Sequence, residues 1–189
     1  MKFRFIVPLA VLATAIPEAI LAQADSSTAR ILLRAAEAAM MHMPRHGELP
    51  PRRGVNPREI QSATSSPRLD GGAYHPTTIT SSIAASLNLI VREPEDVCSE
   101  RGCDLGGFSG YLSLSTVRFH GDSAEVFVNV LTPNPRPNAV YQQTFRLGFH
   151  RERCGWELRW GEELADRGPP RVRIAYSPSR SGDLTGSCS

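Results

Sequence analysis

The segment that decides the fold lies at residues 124–130 and reads AEVFVNV. Every second residue in it is small or apolar: Ala124, Val126, Val128 and Val130. Successive side chains of a β-strand point to opposite faces of the sheet, so this period of two predicts a strand with one buried face. Phe127 and Leu131 fall on the other face of the same strand.

Three neighbouring segments repeat this alternation. Large apolar residues recur at period two in residues 141–149 and again in residues 156–160. The segment that begins at Tyr111 shows the same period, with a slip near Ser115 and Thr116 that predicts a β-bulge. Because short turns join the four segments, we expect a four-stranded antiparallel meander. A further strand over residues 172–176 is expected at its edge.

The fourth predicted strand carries the largest side chains. Trp156, Leu158 and Trp160 alternate at period two, so all three are predicted to face one side of the sheet. Large apolar groups in a row are not left in water, so a helix is expected to cover that side.

Two segments before the predicted sheet are typical of helices. Residues 27–43 carry an apolar stripe at three- and four-residue spacing, and Pro44 ends it. Residues 77–89 place an isoleucine or leucine at every fourth position from Ile79 to Leu87. The sequence therefore predicts an α+β fold, with two N-terminal helices packed on a four-stranded antiparallel meander.

The chain is expected to divide into four parts. Residues 1–24 are predicted to be a signal peptide, and residues 25–76 an N-terminal helix with a loop rich in proline and arginine. Residues 77–166 are predicted to form the α+β core domain, followed by a C-terminal tail at residues 167–189. A basic loop can bind a polyanion, but acidic residues oppose the charge of residues 44–76, so we interpret them as a solvated connector.

The first 24 residues have the parts of a secretory signal. A basic start precedes the mostly apolar residues 5–16, and Ala22 and Ala24 supply the small residues that a signal peptidase requires. A permanent membrane anchor is the alternative, but Pro17 and Glu18 stop the apolar run short of the roughly 20 residues that a span needs. We expect an exported protein, periplasmic or extracellular, with no stable membrane insertion after cleavage.

The charge balance excludes one large class of partners. The chain has 21 basic and 19 acidic residues, for a formal net charge of +2. Nucleic-acid-binding domains need a concentrated basic field, which this balance does not provide. We therefore expect no nucleic acid among the partners.

All four cysteines lie after the predicted signal peptide, at Cys98, Cys103, Cys154 and Cys188. An even count in an exported chain favours disulfide bonds. Cys98 and Cys103 are close in sequence with a turn between them, so we pair these two and join Cys154 to Cys188. A zinc site that adds His150 to the first three cysteines is the alternative, although its C-x4-C spacing is unusual for zinc.

The order of elements resembles a known superfamily. Two helices are followed by a Gly-Asp turn at residues 121–126, by the strand at residues 141–149 and by a last strand that opens with Gly155 and Trp156. This pattern over residues 77–163 is similar to the nuclear-transport-factor-2-like, or cystatin-like, superfamily, and to exported proteins of GC-rich bacteria. The resemblance implies a curved sheet wrapped around a helix, which forms a cone with a cavity.

The resemblance also implies where an enzymatic member keeps its reactive groups. Such members commonly place an Asp/His or Tyr/Asp set inside the cavity, but the aspartates of this chain fall in turns or outside the strands. The sequence contains no nucleophile elbow, phosphate loop, dinucleotide fingerprint or H-E-x-x-H motif. Glu162 and Glu163 are adjacent carboxylates, which point to opposite faces in a strand. We therefore assign no catalytic residue, no metal ligand and no cofactor.

The candidates for ligand binding are aromatic residues of the predicted sheet: Tyr141, Phe145, Trp156 and Trp160. They indicate a non-enzymatic module that binds a small apolar ligand or a protein partner. The alternative for these side chains is that they only form the core. The alternative function is a small cavity enzyme, an isomerase or hydrolase of the nuclear-transport-factor-2-like type.

Overall fold

The computed structural model describes residues 18–41, 43, 52–61, 72–99, 101–164 and 172–175. This part of the chain contains three helices: α1 (Glu18–Met40), α2 (Thr77–Leu87) and α3 (Pro94–Val97). Its shorter early strands are β1 (Arg53–Val55), β2 (Ile90–Val91), β3 (Cys98–Ser99), β4 (Gly102–Cys103), β5 (Gly110–Leu114) and β6 (Arg118–His120). The later strands are β7 (Ser123–Pro133), β8 (Val140–Glu152), β9 (Gly155–Leu164) and β10 (Val172–Ala175).

Eight of the described strands form one mixed sheet. Its order is β10-β9-β8-β7-β5-β1-β2, and β6 pairs with the first residues of β7. Neighbours from β10 to β5 are antiparallel, whereas β1 runs parallel to both β5 and β2. β3 and β4 form a separate two-stranded hairpin.

The predicted cone-like fold of two helices on a four-stranded antiparallel meander is wrong, because the sheet is larger and mixed. Its parallel part comes from β1, which lies within the predicted loop 44–76, and from β2, which follows α2. These strands have three and two residues, too few for a periodic pattern to show in the sequence. Backbone bonds from the Asn56 N–H to the Leu112 carbonyl and from the Arg92 N–H to the Val55 carbonyl fix them in the sheet.

The predicted alternating strands are present as β5 to β9. β7 and β8 pair along the whole length of β7. Leu114 lies opposite Val128 but Arg118 lies opposite Glu125, so one extra residue is accommodated between β5 and β6. This shift confirms the bulge predicted near residues 115 and 116.

The main core lies between the two longer helices and one face of the sheet. The alternate residues at 124–130 that predicted a buried face are buried there. Helices and neighbouring strands add Ile31, Leu32, Ala35, Ala36, Ala39, Ile79, Ile83, Leu112, Leu114, Phe145, Leu147 and Phe149, among others. β1 and the buried residues of α1 fall in the predicted segment 25–76, and they share one core with the strands of the predicted segment 77–166.

A smaller apolar cluster lies on the opposite face of the sheet. Tyr111 and Leu131 reach it because each adjoins a main-core residue in its strand and so points the other way. This cluster, called the loop cluster below, consists of Val97, Cys98, Cys103, Leu105, Phe108, Tyr111 and Leu131. Its residues outside the sheet come from α3, the β3–β4 hairpin and the segment that leads into β5.

Beside the loop cluster, the same face of the sheet carries a row of buried polar side chains. Ser113, Asn129 and Thr144 lie side by side on β5, β7 and β8, and Asn56 follows β1. Asn56 Nδ2 donates a hydrogen bond to Ser113 Oγ at 3.1 Å. Thr144 Oγ1 donates to Asn129 Oδ1 at 3.0 Å. These bonds satisfy groups whose burial without a partner costs about 1–3 kcal/mol each.

The predicted Cys98–Cys103 disulfide is confirmed, and it closes the β3–β4 hairpin. Cys154 is disulfide-bonded as well, but its predicted partner Cys188 lies outside the described residues. Bonded cysteines cannot serve the alternative zinc site. Within the described ranges, no group of three or more side chains is placed to hold a metal ion.

Most of the predicted signal peptide lies outside the described residues. α1 begins at Glu18, so the cleavage expected before Asp25 falls within this helix. None of the described helices combines the length and the apolar character that crossing a membrane requires. The predicted tail 167–189 is described only over β10, which pairs with β9 as the expected edge strand.

Candidate ligand-binding cleft

The four aromatic residues predicted to bind a ligand do not form one surface. Phe145 is buried in the main core, and Trp156 packs against that core. Tyr141 is 54% exposed near the start of β8, and Trp160 is 36% exposed on the opposite face of the sheet. Ligand binding by these residues stays a prediction, but the structure does not bring the four side chains together.

An irregularity in β9 explains the position of Trp160. Phe149 lies opposite Leu158, whereas Gly148 lies opposite Trp160, so β9 holds one extra residue at this point. The extra residue reverses the alternation, and the prediction that Trp160 faces the same side as Trp156 is wrong. The indole of Trp160 packs over Gly148, where a Cβ atom would collide with it. A glycine inside a strand is the sequence signal for such a close approach.

His75 is the buried titratable side chain that comes closest to an enzymatic arrangement. Its Nδ1 lies 3.6 Å from Glu59 Oε1, and its Nε2 lies 3.2 Å from the Leu114 carbonyl oxygen. Burial lowers the pKa of His75, while the hydrogen bond to Leu114 and the charge of Glu59 oppose that shift. The hydrogen bond at Nε2 joins the segment before α2 to β5, whereas 3.6 Å is too long for a hydrogen bond between Nδ1 and Glu59.

A surface cluster clamps the chain before α2 to the segment that follows β2. Arg58 forms ion pairs with Glu93 at 3.3 Å and with Glu95 at 2.7 Å. Its guanidinium donates to the Tyr74 hydroxyl at 2.9 Å and lies 4.9 Å from the centre of that ring. The hydrogen bond with Tyr74 raises the pKa of Arg58, so the guanidinium stays charged and the cluster is a structural contact.

A cleft of about 350 Å³ opens beside the loop cluster. One wall is formed by residues 103–108, which follow the β3–β4 hairpin, and the other by residues 133–140, which join β7 to β8. Leu105, Phe108 and Val140 supply apolar surface within a lining that is otherwise mainly polar. Small-ligand sites in proteins are clefts of about 300–1,000 Å³, so the volume of this cleft is suitable, whereas its lining is more polar than is usual for such sites.

The two walls are fixed by a disulfide and by direct contact. The Cys98–Cys103 bond holds the start of the first wall. Gly102 has a φ angle of 139° and lies so close to the backbone of Asn138 that any side chain at Gly102 would collide with it. Asn138 adopts a left-handed φ of 56°, which asparagine tolerates better than most residues. The cleft is therefore pre-formed, as small-ligand sites usually are.

Local hydrogen bonds shape the tip of each wall. Asp104 Oδ1 accepts the Gly106 N–H at 2.9 Å, and Asn134 Oδ1 accepts the Arg136 N–H at 2.9 Å. In both turns a side-chain oxygen binds the backbone N–H two residues further on. Both turns belong to the walls, and Asp104 and Arg136 are among the residues that line the cleft.

Phe108 belongs to both the cleft lining and the loop cluster, and two arginines outside the lining lie near its ring. The guanidinium carbons of Arg52 and Arg92 lie 5.3 and 5.9 Å from the centre of the Phe108 ring. In the same cluster, the Tyr111 hydroxyl donates to the Arg92 carbonyl oxygen at 2.9 Å. Burial raises the pKa of Tyr111, so the phenol stays neutral and serves packing rather than acid–base chemistry.

The described lining of the cleft combines polar and apolar groups. It contains prolines, glycines, two asparagines, one carboxylate and one guanidinium, and no hydroxyl, free thiol or imidazole. The sequence predicted a proline-rich hairpin loop and the cysteine pair, which are parts of the two walls. It did not predict that the walls meet, because the contact between Gly102 and Asn138 joins residues far apart in the chain.

Comparison with known proteins assigns no family. No protein-family model, curated protein or solved structure matches the chain. The resemblance to the nuclear-transport-factor-2-like superfamily therefore stays a prediction, and the function has to be inferred from the geometry of the cleft.

Proposed function

We propose that the protein is an exported, non-enzymatic binding module whose ligand occupies the cleft between residues 103–108 and residues 133–140. The observation that carries this proposal is the pre-formed cleft itself, with its apolar floor and two loop walls. Loops on a rigid sheet are common positions for binding residues. The long pairing of β7 with β8 provides such a support for the second wall.

The composition of the cleft favours binding over catalysis. An acyl- or group-transfer enzyme needs a nucleophile or a general base within hydrogen-bond reach of its substrate. The described lining supplies neither a hydroxyl nor an imidazole, and its one carboxylate, Asp104, accepts the Gly106 N–H within its own turn. A cavity enzyme also requires an ionisable group buried beside a polar partner, and His75 with Glu59 is such a pair. His75 is not among the described residues of the cleft, however.

Two features support export to the periplasm or the medium. The N-terminal sequence has the pattern of a signal peptide, and the Cys98–Cys103 disulfide is typical of proteins in oxidising compartments. Intact mass of the exported protein tests this part of the proposal. A chain that begins near Asp25 supports it, and a full-length chain in the membrane fraction contradicts it.

The cleft assignment is tested by filling the cleft with a large side chain. Ala139→Trp places an indole on the second wall, and Ala85→Trp makes the same change on the exposed surface of α2. The probe is phenylnaphthylamine, a neutral apolar dye that fluoresces when it leaves water. We expect the wild-type protein and the Ala85→Trp variant to bind one equivalent with equal affinity.

We expect the Ala139→Trp variant to lose at least tenfold in affinity, while its thermal unfolding shows that it is folded. Equal binding by all three proteins contradicts the cleft as the ligand site, and so does a wild-type protein that binds neither this dye nor an anionic analogue of it.

A further inference from the structure

The residues that line the cleft provide an apolar surface and a positive charge, and these two properties together define a class of ligand. We infer that the natural ligand is a small organic anion with an apolar body, such as an aromatic or aliphatic carboxylate. This inference rests on the proposed function of the cleft.

Arg136 supplies the positive charge. Its backbone N–H is held by Asn134, which positions the residue at the rim. Among the described residues, the guanidinium of Arg136 forms no ion pair, although Asp104 lines the same cleft. Elsewhere on the molecule, Arg58 and Arg146 are bound to carboxylates of neighbouring segments. The fork of N–H donors in Arg136 is thus available to bind a carboxylate in a bidentate manner.

The described lining also contains one carboxylate, Asp104, which forms no ion pair with Arg136. Asp104 Oδ1 accepts a hydrogen bond from the Gly106 N–H, so the carboxyl group is held by its own turn. Arg52 and Arg92 both lie over the Phe108 ring of the floor. Arg92 has a distant partner in Asp96 at 3.9 Å, and no described carboxylate pairs with Arg52. These two arginines contact Phe108 but are not among the residues that line the cleft, so Arg136 is the cation of its described lining.

The apolar part of the ligand has its own contact surface. Leu105 and Phe108 are buried in the loop cluster and reach the cleft from one wall, and Val140 packs against that cluster from the other. The prolines of residues 133–137 add rigid apolar surface at the rim. An anion without an apolar body does not cover this apolar surface, and a neutral apolar molecule forms no ion pair with Arg136. A ligand with both parts makes both contacts.

Two related dyes separate the contribution of the charge from that of the apolar body. Anilinonaphthalene sulfonate and phenylnaphthylamine share the same two-part aromatic body, and only the first carries a sulfonate. We expect the wild-type protein to bind the sulfonate at least fivefold more tightly than the neutral dye. Added salt is expected to weaken the binding of the sulfonate and to leave that of the neutral dye unchanged.

The matched variants are Arg136→Gln in the cleft and Arg151→Gln on the exposed end of β8. Arg136→Gln is expected to abolish the preference for the sulfonate and to leave the affinity for the neutral dye within twofold. Arg151→Gln is expected to change neither affinity. Both variants should unfold at the temperature of the wild-type protein, since both side chains are exposed.

The outcomes distinguish this inference from the proposed function. If the neutral dye binds in the cleft but the sulfonate binds no more tightly, or if Arg136→Gln leaves the preference intact, the anionic class is wrong and the cleft remains the site. If neither dye binds, or if the Ala139→Trp variant binds the sulfonate as well as the wild-type protein does, the cleft itself is not the site.

Discussion

The two faces of the sheet carry apolar clusters of different construction. The main core contains aliphatic and aromatic residues from long strands and is covered by α1 and α2. The loop cluster contains a third as many buried residues, and its cover consists of a four-residue helix, a disulfide-closed hairpin and a loop. The first cluster is built from regular structure, whereas the second depends on a covalent bond and on tight loop contacts.

This difference separates stability from binding. Long elements bury much apolar area each, and burial contributes roughly 25 cal/mol per Å² to the free energy of folding. Short elements bury little, but their loops leave a concave surface with backbone and polar groups at its rim. We therefore expect substitutions in the main core to act on stability, and substitutions around the loop cluster to act mainly on the cleft.

The largest effect is expected in the main core. Phe145 is 2% exposed, so Phe145→Ala removes a buried ring and should lower the free energy of unfolding by about 3–5 kcal/mol. Tyr141→Ala, four residues away on the same strand and largely exposed, should cost about 0.5 kcal/mol or less. Chemical denaturation measures both. Similar losses for the two variants contradict the assignment of the buried face.

A second prediction compares the two tryptophans of β9. Trp156 packs against the main core but is only partly buried, so Trp156→Ala should cost about 2–3 kcal/mol, less than a fully buried tryptophan. Trp160 lies on the other face, with the guanidinium carbon of Arg146 5.4 Å from its ring centre. Trp160→Ala should cost only about 1 kcal/mol. If Trp156→Ala and Trp160→Ala lose equal stability, the two side chains lie on the same face, and β9 does not contain the extra residue.

A third prediction concerns the disulfide at the loop cluster. Replacing Cys98 and Cys103 by serine opens a short covalent loop, which should lower stability by about 2 kcal/mol. Because the bond holds one wall of the cleft, dye affinity should fall at least tenfold under conditions where the protein is still folded. Phe145→Ala, examined under folding conditions, should keep its dye affinity. If the Phe145→Ala variant loses dye binding and the serine variant retains it, the assignment of binding to the loop cluster is contradicted.

The smallest effect is a change in the pH dependence of stability. Burial lowers the pKa of His75 in the folded protein, so below the usual histidine pKa of about 6.5 the unfolded chain binds a proton that the folded chain resists. Stability should therefore fall as the pH drops below about 6.5. Glu59 is the charged group that faces the ring at 3.6 Å.

His75→Gln should flatten this dependence, and His150→Gln, at an exposed position, should leave it unchanged. Denaturation curves between neutral and mildly acidic pH measure both. An unchanged pH dependence in His75→Gln shows that another group is responsible.

The sequence predicted the elements that are long and periodic. β7 and β8 were found because each shows regular alternation over many residues, and the helices because their apolar stripes extend over three or more turns. β1 and β2 were missed because strands of three and two residues show no period. They are held in the sheet by backbone hydrogen bonds between distant segments, such as that from the Asn56 N–H to the Leu112 carbonyl. The side of Trp160 was missed because one extra residue in β9 reverses the alternation.

The site was less predictable than the fold. The turn between Cys98 and Cys103 and the proline-rich loop were both recognised, but as separate features. Their approach depends on Gly102, whose positive φ and missing side chain let it lie against Asn138. A glycine at this position is consistent with many loop conformations, so the residue type alone does not reveal its neighbour.

The most direct test of the binding module is a residue-by-residue NMR titration of the mature protein with phenylnaphthylamine. If the ligand occupies the cleft, the backbone amide shifts that change most should lie in residues 104–108 and in the non-proline residues of 133–140. The amide chemical shifts of the main core and of β9 should not change. Changes centred on Trp160 or on Tyr141, with residues 104–108 unaffected, contradict the account and return the binding site to the aromatic residues of the sheet.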